Sequence, residues 1–210
     1  RLSAVLEIRP DYPHALLNRG ICRYKLAEHT GALADLSRAL ELDPGLELAR
    51  YQRALCSARL GYVAAAVSDL DLLLKNNPGV AAAWFERGRL KYNAGDLAGA
   101  AVDLNKAAGL KPGSVAYLYH LALAEARLGY YEGALENLAR ALKIAPSDSR
   151  AWLLNGDILA RTKDPGGARD SYLKALEADR GNAGFYRSRI AALSSAYTQR
   201  KQAPQVSIND

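Results

Sequence analysis

Hydrophobic residues recur three and four positions apart through most of this chain, a spacing that places them on one face of an α-helix. Two stretches with this pattern, residues 81–94 and 97–110, meet at Gly95 and Asp96. Glycine is common just after a helix, and aspartate is a favoured helix N-cap. The pattern therefore predicts two helices joined by a tight turn.

The predicted helical pair recurs with a period of 34 residues. Three kinds of residue return in phase: a small residue in the first helix, an alanine in the second, and a proline after the second. They are Gly20, Ala54, Gly88, Ala122 and Gly156, then Ala32, Ala66, Ala100, Ala134 and Ala168, and finally Pro44, Pro78, Pro112 and Pro146. Self-similarity at a fixed period indicates a repeat architecture.

Five full repeats share one register. They span residues 13–46, 47–80, 81–114, 115–148 and 149–182, and are called repeats 1 to 5 below. Residues 1–10 fit the second helix of a preceding partial repeat. Repeat 5 departs from the pattern, with Arg180 where proline is expected and Lys163 where glycine is expected.

The segment after repeat 5 predicts a capping helix followed by a polar tail. Residues 183–200 carry apolar and aromatic side chains at helical spacing: Phe185, Tyr186, Ile190, Leu193 and Tyr197. The last unit of a repeat array needs a cap with a polar outer face. Residues 201–210 are polar and interrupted by Pro204, which predicts a frayed tail.

The fold follows from the hydrophobic faces of these hairpins. A single helical hairpin cannot bury both of its apolar faces, so neighbouring hairpins must stack. The predicted fold is all-α: a right-handed α-solenoid of helical-hairpin repeats with a concave groove and a C-terminal capping helix. Each repeat then contacts only its neighbours, and stability is shared along the array.

The repeat resembles the tetratricopeptide repeat (TPR). The resemblance covers most of the chain and rests on the 34-residue period, Trp84 and Trp152 early in the repeat, Gly88 and Gly156, the later alanines and the closing prolines. It implies a protein-binding scaffold or adaptor that holds a partner peptide or segment and has no catalytic activity of its own.

The resemblance also implies where a ligand would bind. In the TPR family the first helix of each repeat lines the groove, and its second, fifth, ninth, twelfth and thirteenth positions face the ligand. Carried over to this sequence, the predicted groove residues are Leu17, Ile21, Tyr24, Lys25, Tyr51, Leu55, Arg59, Phe85, Arg89, Tyr92, Asn93, Tyr119, Leu123, Arg127, Leu153, Asp157 and Arg161. Aromatic residues and arginine are frequent hot-spot residues, so the groove suits a peptide with apolar and acidic residues. A purely structural stripe, or binding through the convex face or the tail, are the other interpretations.

One TPR subtype captures the C-terminal carboxylate of heat-shock chaperones with lysine and asparagine in one repeat, asparagine in the next, and lysine with arginine in the third. Here only Asn18 falls on a position of that type. The lysine and arginine positions hold Leu17, Leu48, Ala82 and Glu86. The sequence therefore predicts no chaperone-tail carboxylate clamp.

Composition narrows the partner only a little. The net charge of +6 mildly favours acidic partners, but the basic residues form no block and alternate with Asp and Glu, which argues against nucleic acid. No apolar stretch approaches the roughly 20 residues that a membrane-spanning helix needs, so we expect no membrane span. The compartment is not fixed by these residues, although a cytoplasmic location is slightly favoured.

Catalytic and metal-binding motifs are missing from the sequence. We find no glycine-rich phosphate loop, no nucleophile elbow and no HExxH, so we expect neither an enzyme nor a cofactor. His14, His29 and His120 are isolated in sequence, and we expect no metal site. Cys22 and Cys56 share one repeat position and predict buried free thiols, because neighbouring helices about 8–10 Å apart are too distant for a disulfide.

Arginine and aspartate recur together in the first three repeats, sixteen positions apart. The pairs are Arg19 with Asp35, Arg53 with Asp69, and Arg87 with Asp103, whereas repeats 4 and 5 hold Leu121 with Asn137 and Asn155 with Ser171. Because both members disappear together, the pattern predicts a structural ion pair within a hairpin or between adjoining repeats. An arginine that binds an acidic ligand is the other interpretation.

The leading functional hypothesis is a scaffold that binds a partner in its groove, as part of a larger complex. An alternative is an internal architectural or self-assembling section of a longer repeat protein. A lesser alternative is a nucleic-acid-binding solenoid, since some helical repeats read RNA one base at a time.

Overall fold

The computed structural model describes residues 6–202, with side chains described as far as residue 193. Every regular element in this range is helical. A helical turn at residues 6–8 precedes α1 (Pro13–Lys25), α2 (His29–Leu42), α3 (Glu47–Arg59), α4 (Val63–Asn76), α5 (Ala81–Asn93), α6 (Leu97–Leu110), α7 (Val115–Leu128), α8 (Tyr131–Ile144), α9 (Ser149–Arg161), α10 (Pro165–Ala178), a 3-10 turn (Arg180–Asn182) and α11 (Ala183–Gln202). The predicted polar tail lies outside the described residues from position 203 onward, and residues 1–5 lie outside them as well.

The helices fall into two compact units, Arg1–Pro112 and Gly113–Asp210. We call them the N-terminal unit and the C-terminal unit. In the N-terminal unit α1 packs with α2, α3 with α4 and α5 with α6, while α2 also contacts α3 and α4 contacts α5. In the C-terminal unit α7 packs with α8, α8 with α9 and α9 with α10, and α11 covers α10. Each helical pair is a hairpin, with a first and a second helix.

Small residues allow the two helices of each hairpin to approach closely. The in-phase alanines of the second helices, at positions 32, 66, 100, 134 and 168, are completely buried. In repeats 1, 3 and 5 the alanine faces the glycine of the first helix beside a large side chain. A Cβ added at Gly88 would lie 2.8 Å from Cγ of Leu104 and 3.2 Å from the backbone oxygen of Ala100. Close packing therefore restricts this position to glycine or alanine.

A residue in the left-handed conformation closes each hairpin at the same repeat position. Gly61, Gly95 and Gly129 have φ values of 82°, 89° and 84° there, which glycine adopts without a steric penalty. Ala27 and Lys163 occupy the equivalent positions with φ values of 62° and 65°. Repeat 5 therefore has lysine in place of glycine, but its backbone adopts the same left-handed turn conformation.

Side-chain caps or indole hydrogen bonds mark the start of five of the described helices. The side-chain caps are Asp96 before α6, Ser114 before α7, Asp148 before α9 and Asp164 before α10. A cap of this kind stabilises a helix by about 1 kcal/mol. Nε1 of Trp84 donates to the carbonyl of Pro78 at 2.8 Å, and Nε1 of Trp152 donates to that of Pro146 at 2.7 Å. Each tryptophan thus ties a first helix to the proline that precedes it.

The arginine–aspartate pairs join the two helices of one hairpin. In repeats 1, 2 and 3, Nε and Nη2 of the arginine donate to both carboxylate oxygens, at 2.8 Å and at 2.6 to 2.7 Å. The aspartate side chains are 5% exposed at Asp35, 9% at Asp69 and 1% at Asp103. The structural interpretation of these pairs is confirmed, since each arginine is engaged inside its own hairpin.

Neutral residues replace the ion pair in the C-terminal unit. Leu121 is buried, and Asn137 donates instead to Glu125 at 2.9 Å. In repeat 5, Ser171 donates to Asn155 at 2.9 Å. Burial raises the pKa of Glu125, and the hydrogen bond from Asn137 opposes that shift.

Both cysteines are free thiols, but only one of them is buried. Cys56 packs in the core cluster that contains Leu36 and Leu40, and burial raises its pKa to about 11. Cys22 is exposed, so the prediction of a buried thiol is wrong for this residue. The two differ because Cys56 packs against the first hairpin, whereas the structure describes no complete helix ahead of Cys22.

Candidate interaction surface on the first helices

The predicted groove residues lie on α1, α3 and α5 in the N-terminal unit and on α7 and α9 in the C-terminal unit. Their spacing of four, three and one positions keeps them on one face of each helix. All except Leu17 are half-buried or exposed. Leu17 is 7% exposed and packs in the core with Leu6 and Leu16, so it offers little surface to a ligand.

In the N-terminal unit, Arg59 and Tyr24 connect two successive first helices. Nε of Arg59 on α3 donates to Oη of Tyr24 on α1 at 3.3 Å, and this hydrogen bond raises the pKa of Arg59. Tyr51 and Leu55 are half-buried on α3, and Lys25 is exposed at the end of α1. Ile21 is half-buried too. These helices together present aromatic, aliphatic and basic side chains.

Helix α5 continues the same pattern around Arg89. Nη1 of Arg89 donates to Glu86 at 2.7 Å, and the guanidinium lies 5.8 Å from the centre of the Phe85 ring. Tyr92 is half-buried and Asn93 is exposed at the end of the helix. The charge of Arg89 is therefore partly balanced by Glu86, while its position beside the aromatic ring is fixed.

Four of the predicted residues line one small cavity in the C-terminal unit, with a volume of about 100 Å³. Leu123 and Arg127 come from α7, and Asp157 and Arg161 come from α9. The remaining lining residues are Ala126, Tyr131, Leu154 and Ile158. The sequence prediction omits these four. The ligand-facing twelfth position of repeat 4 could have identified Ala126, whereas the register gives no signal for the others.

Asp157 is also engaged by residues of α10 and α11. Oη of Tyr172 on α10 donates to Oδ1 of Asp157 at 2.7 Å, and Nη1 of Arg189 on α11 lies 3.2 Å from the same oxygen. Burial and this hydrogen bond raise the pKa of Tyr172. The carboxylate in the cavity lining is thus paired with Arg189, while Arg127 and Arg161 supply two guanidinium groups to that lining.

Two predicted residues of the C-terminal unit lie outside the cavity lining. The guanidinium of Arg150 on α9 lies 5.4 Å from the ring centre of Tyr119 on α7. The Tyr119 ring also meets His120 edge to face, with ring centres 5.5 Å apart. Leu153 is half-buried on α9. The surface of this unit therefore extends beyond the cavity as an aromatic and aliphatic strip.

Among the described residues, no three His, Cys, Asp and Glu side chains are grouped so that they could hold a metal ion. None of the described helices combines the length and the apolar composition needed to cross a membrane. His29, one of the three histidines, packs against Tyr24 with ring centres 5.2 Å apart.

Known proteins give the following matches. A family model described as tetratricopeptide repeat matches residues 1–47, 51–115 and 116–183. No curated protein matches the chain in sequence. Among solved structures, YrrB, described as a TPR protein with an unusual peptide-binding site, is 18% identical with a TM-score of 0.75. The alignment covers 85% of this chain and 92% of YrrB.

Two further structures have the same architecture. MamA from Desulfovibrio magneticus RS-1 is 21% identical with a TM-score of 0.76, covering 80% of this chain and 96% of that one. The C-terminal part of a TPR repeat-containing protein from Cytophaga hutchinsonii is 17% identical with a TM-score of 0.75, covering 95% of this chain and 81% of that one. The all-α repeat fold predicted from the sequence is confirmed. By its family match across three stretches and by its fold, the chain belongs to the tetratricopeptide repeat family.

Proposed function

We propose that this chain is a non-catalytic protein-interaction scaffold that binds partner segments along the exposed faces of its first helices. The observation that carries the proposal is the cavity between α7 and α9, because four residues selected by the repeat register line a single space there. Helices hold these side chains in place before binding, which reduces the ordering cost of association.

The size and lining of the cavity favour a peptide side chain as its occupant. Small-molecule pockets usually measure roughly 300 to 1,000 Å³. A volume of about 100 Å³ is well below that range and suits one side chain. Leu123, Leu154 and Ile158 supply apolar contact, and Arg127 and Arg161 can donate to a carboxylate. The partner segment therefore combines an apolar residue with an acidic one.

The N-terminal unit supports a segment of similar chemistry. Tyr51, Phe85 and Tyr92 provide aromatic surface, and Arg59 with Lys25 provides positive charge. Aromatic residues and arginine make large contributions to binding where they become desolvated. The YrrB structure is described as having a peptide-binding site, which adds a precedent on the same fold.

The internal ion pairs argue against nucleic acid as the main partner. Arg19, Arg53 and Arg87 each donate to a carboxylate of their own hairpin, so the charge of each arginine is already balanced by an aspartate and attracts phosphate groups less. Non-specific binding to nucleic acid depends on many cations that neutralise phosphates.

Affinity capture with two matched variants tests the proposal. The variant Arg127→Ala/Arg161→Ala removes two exposed cations from the cavity lining. The control Lys143→Ala/Arg169→Ala removes two exposed cations from the second helices α8 and α10. Partners should be lost with the first variant and kept with the control, while circular dichroism shows both to be folded.

A peptide-display selection on the purified chain provides the direct measurement. We expect enrichment of peptides with neighbouring apolar and acidic residues, and loss of their binding in the Arg127→Ala/Arg161→Ala variant. Tyr51→Ala/Arg89→Ala tests the N-terminal unit in the same way. Equal binding by the cavity variant and its control would contradict the assignment of this surface.

A further inference from the structure

A cleft in the N-terminal unit lies apart from the groove residues described above. It has a volume of about 330 Å³ and is lined by residues of α2, α3 and α4. Ser37, Ser57 and Ser68 supply hydroxyl groups to its lining, and Arg53 and Asp69 supply charged groups. The cleft therefore carries a structural ion pair in its wall.

The equivalent place one repeat later has other side chains at two of these positions. There Asp71 stands at the position of Ser37, and Lys91 stands at the position of Ser57. Asp71 accepts a hydrogen bond from Nη1 of Arg87. The ammonium of Lys91 lies 2.9 Å from Oδ2 of Asp103. In the cleft, serine therefore replaces both the carboxylate of Asp71 and the ammonium of Lys91.

Because Ser37 stands where the next repeat has Asp71, one donor group of Arg53 lacks the acceptor that Arg87 has. Nε and Nη2 of Arg53 donate to Asp69 as Nε and Nη2 of Arg87 donate to Asp103. Nη1 of Arg87 has Asp71 as its acceptor. For Nη1 of Arg53, the described residues offer no acceptor at hydrogen-bond distance. A ligand carboxylate could take that place.

Oδ2 of Asp69 likewise lacks the second cationic donor that the equivalent atoms of Asp35 and Asp103 have. Oδ2 of Asp35 receives a second cationic donor from Arg23 at 2.8 Å, as Oδ2 of Asp103 does from Lys91 at 2.9 Å. Oδ2 of Asp69 receives Nε of Arg53 alone among the described residues. Asp69 is also the most exposed of the three aspartates, at 9%.

Two other charged groups act on this pair without filling the vacant positions. Nη1 of Arg50 lies 3.8 Å from Oδ1 of Asp69, beyond hydrogen-bond distance, and Nη2 of Arg50 donates to the carbonyl of Pro44 at 2.7 Å. The charge of Glu41 acts on Arg53 from further away. Arg50 therefore adds a second positive charge beside Asp69 without occupying its Oδ2.

We propose that this cleft binds a zwitterionic small molecule of the ω-amino acid type. Its carboxylate takes the place of Asp71 by accepting from Nη1 of Arg53, and its ammonium takes the place of Lys91 by donating to Oδ2 of Asp69. The serine hydroxyls can bond to either end, because a hydroxyl both donates and accepts. Tyr62, which also lines the cleft, packs against the connecting methylene groups. The volume falls within the usual range for small ligands.

A series of ω-amino acids of increasing length tests the proposal and measures the separation of the two sites. Glycine, β-alanine, 4-aminobutanoate, 5-aminopentanoate and 6-aminohexanoate are titrated into the full chain, and amide chemical shifts are followed by NMR. We expect saturable shifts at Ser37, Ser57 and Tyr62, with one preferred length. Butylamine and butanoate should bind at least about tenfold more weakly, because each lacks one charge-assisted hydrogen bond.

Variants that introduce into the cleft the side chains found one repeat later provide the control. Ser37→Asp/Ser57→Lys fills the cleft with the chain's own charges and should abolish the shifts. Ser57→Lys alone supplies the ammonium and gives the same test should the double variant not fold. Ser37→Ala/Ser57→Ala keeps both charged positions open and should still bind. The proposal is overturned if no length gives saturable shifts, or if the filled variants bind as the parent does. Neither outcome bears on the groove, which the cavity variants test separately.

Discussion

The buried ion pair of repeat 3 allows a quantitative test of how these hairpins are held together. Asp103 is 1% exposed, Arg87 is 14% exposed, and Lys91 adds a third charge to the cluster. Asp103→Asn keeps the shape of the side chain but leaves Arg87 and Lys91 facing a neutral amide. Removing one partner of a buried pair costs about 3 to 5 kcal/mol. We expect the loss of stability to lie near the lower end of this range, since Lys91 is 28% exposed and can turn toward water.

A double variant separates the cost of a broken pair from the net contribution of an intact one. Arg87→Leu/Asp103→Asn introduces the residues that repeat 4 carries as Leu121 and Asn137. Neutral replacement of a buried pair is often close to neutral in stability, because the desolvation cost disappears with the attraction. The two charges that lose a partner in this variant, Lys91 and Asp71, are 28% and 55% exposed and can be solvated by water. We expect the double variant to lie within about 1 kcal/mol of the parent, which means a strong coupling between the two positions.

Equilibrium unfolding in urea gives the free energies. Circular dichroism at 222 nm follows all helices, and a shared Trp152→Phe background leaves Trp84 as the only tryptophan. Trp84 is a local reporter, because the guanidinium of Arg87 lies 4.8 Å from its ring centre. An unchanged m-value would show that the midpoint shift reflects stability and not a different denatured state.

Two results would refute this reasoning. A loss below about 1 kcal/mol for Asp103→Asn would mean that water reaches the cluster and that the pair behaves as a surface ion pair. A double variant as unstable as the single one would mean that the pair contributes net stability beyond cancelling its own desolvation. The same series at Asp69 should give smaller values, since Asp69 is 9% and Arg53 is 27% exposed.

Three further predictions concern single positions. Gly156→Ala should lower the melting temperature, since the added Cβ would lie 2.5 Å from the Tyr172 ring. The double variant Gly156→Ala/Tyr172→Leu should recover most of this loss, because repeats 2 and 4 carry alanine and leucine at these two positions. Burial raises the pKa of Glu125, so the folded chain binds the proton of this carboxyl group more tightly than the unfolded chain does, and stability falls as the pH rises and the group ionises. Glu125→Gln should therefore raise the melting temperature at pH 7 and leave it unchanged below pH 4. Ala27→Gly and Lys163→Gly should each stabilise by up to about 1 kcal/mol in urea unfolding, because they relieve a left-handed backbone, and the same changes at neighbouring right-handed helical residues should destabilise.

Contacts that recur from repeat to repeat were predictable from the sequence. Arg87 and Asp103 are sixteen positions apart in a 34-residue period, and a matching pair in three repeats is enough to predict a structural ion pair, although not whether it lies within a hairpin or between adjoining repeats. The small residue at Gly88 is equally informative, because close helix packing leaves little choice there. Repetition averages out the peculiarities of single residues, so these features stand out in one sequence.

Contacts that occur once along the chain could not be predicted in this way. Tyr172 reaches Asp157 only because Gly156 leaves room for its ring, and Arg189 arrives from outside the repeats. The exposure of Cys22 depends on what precedes the first hairpin. Such features rest on a single combination of side chains in three dimensions, and a periodic pattern carries no signal for them.

The position of Asp157 on α9 links the cavity to the C-terminal helix α11. Its carboxylate lies in the lining of the cavity and is also held by Tyr172 and by Arg189 of the C-terminal helix α11. An acidic ligand in the cavity would be favoured while Arg189 neutralises this carboxylate, and would be opposed once α11 detached. Occupancy of the cavity and docking of α11 are then thermodynamically coupled, and each must strengthen the other by the same factor. The terminal helix would then report ligand binding as well as cover the last repeat.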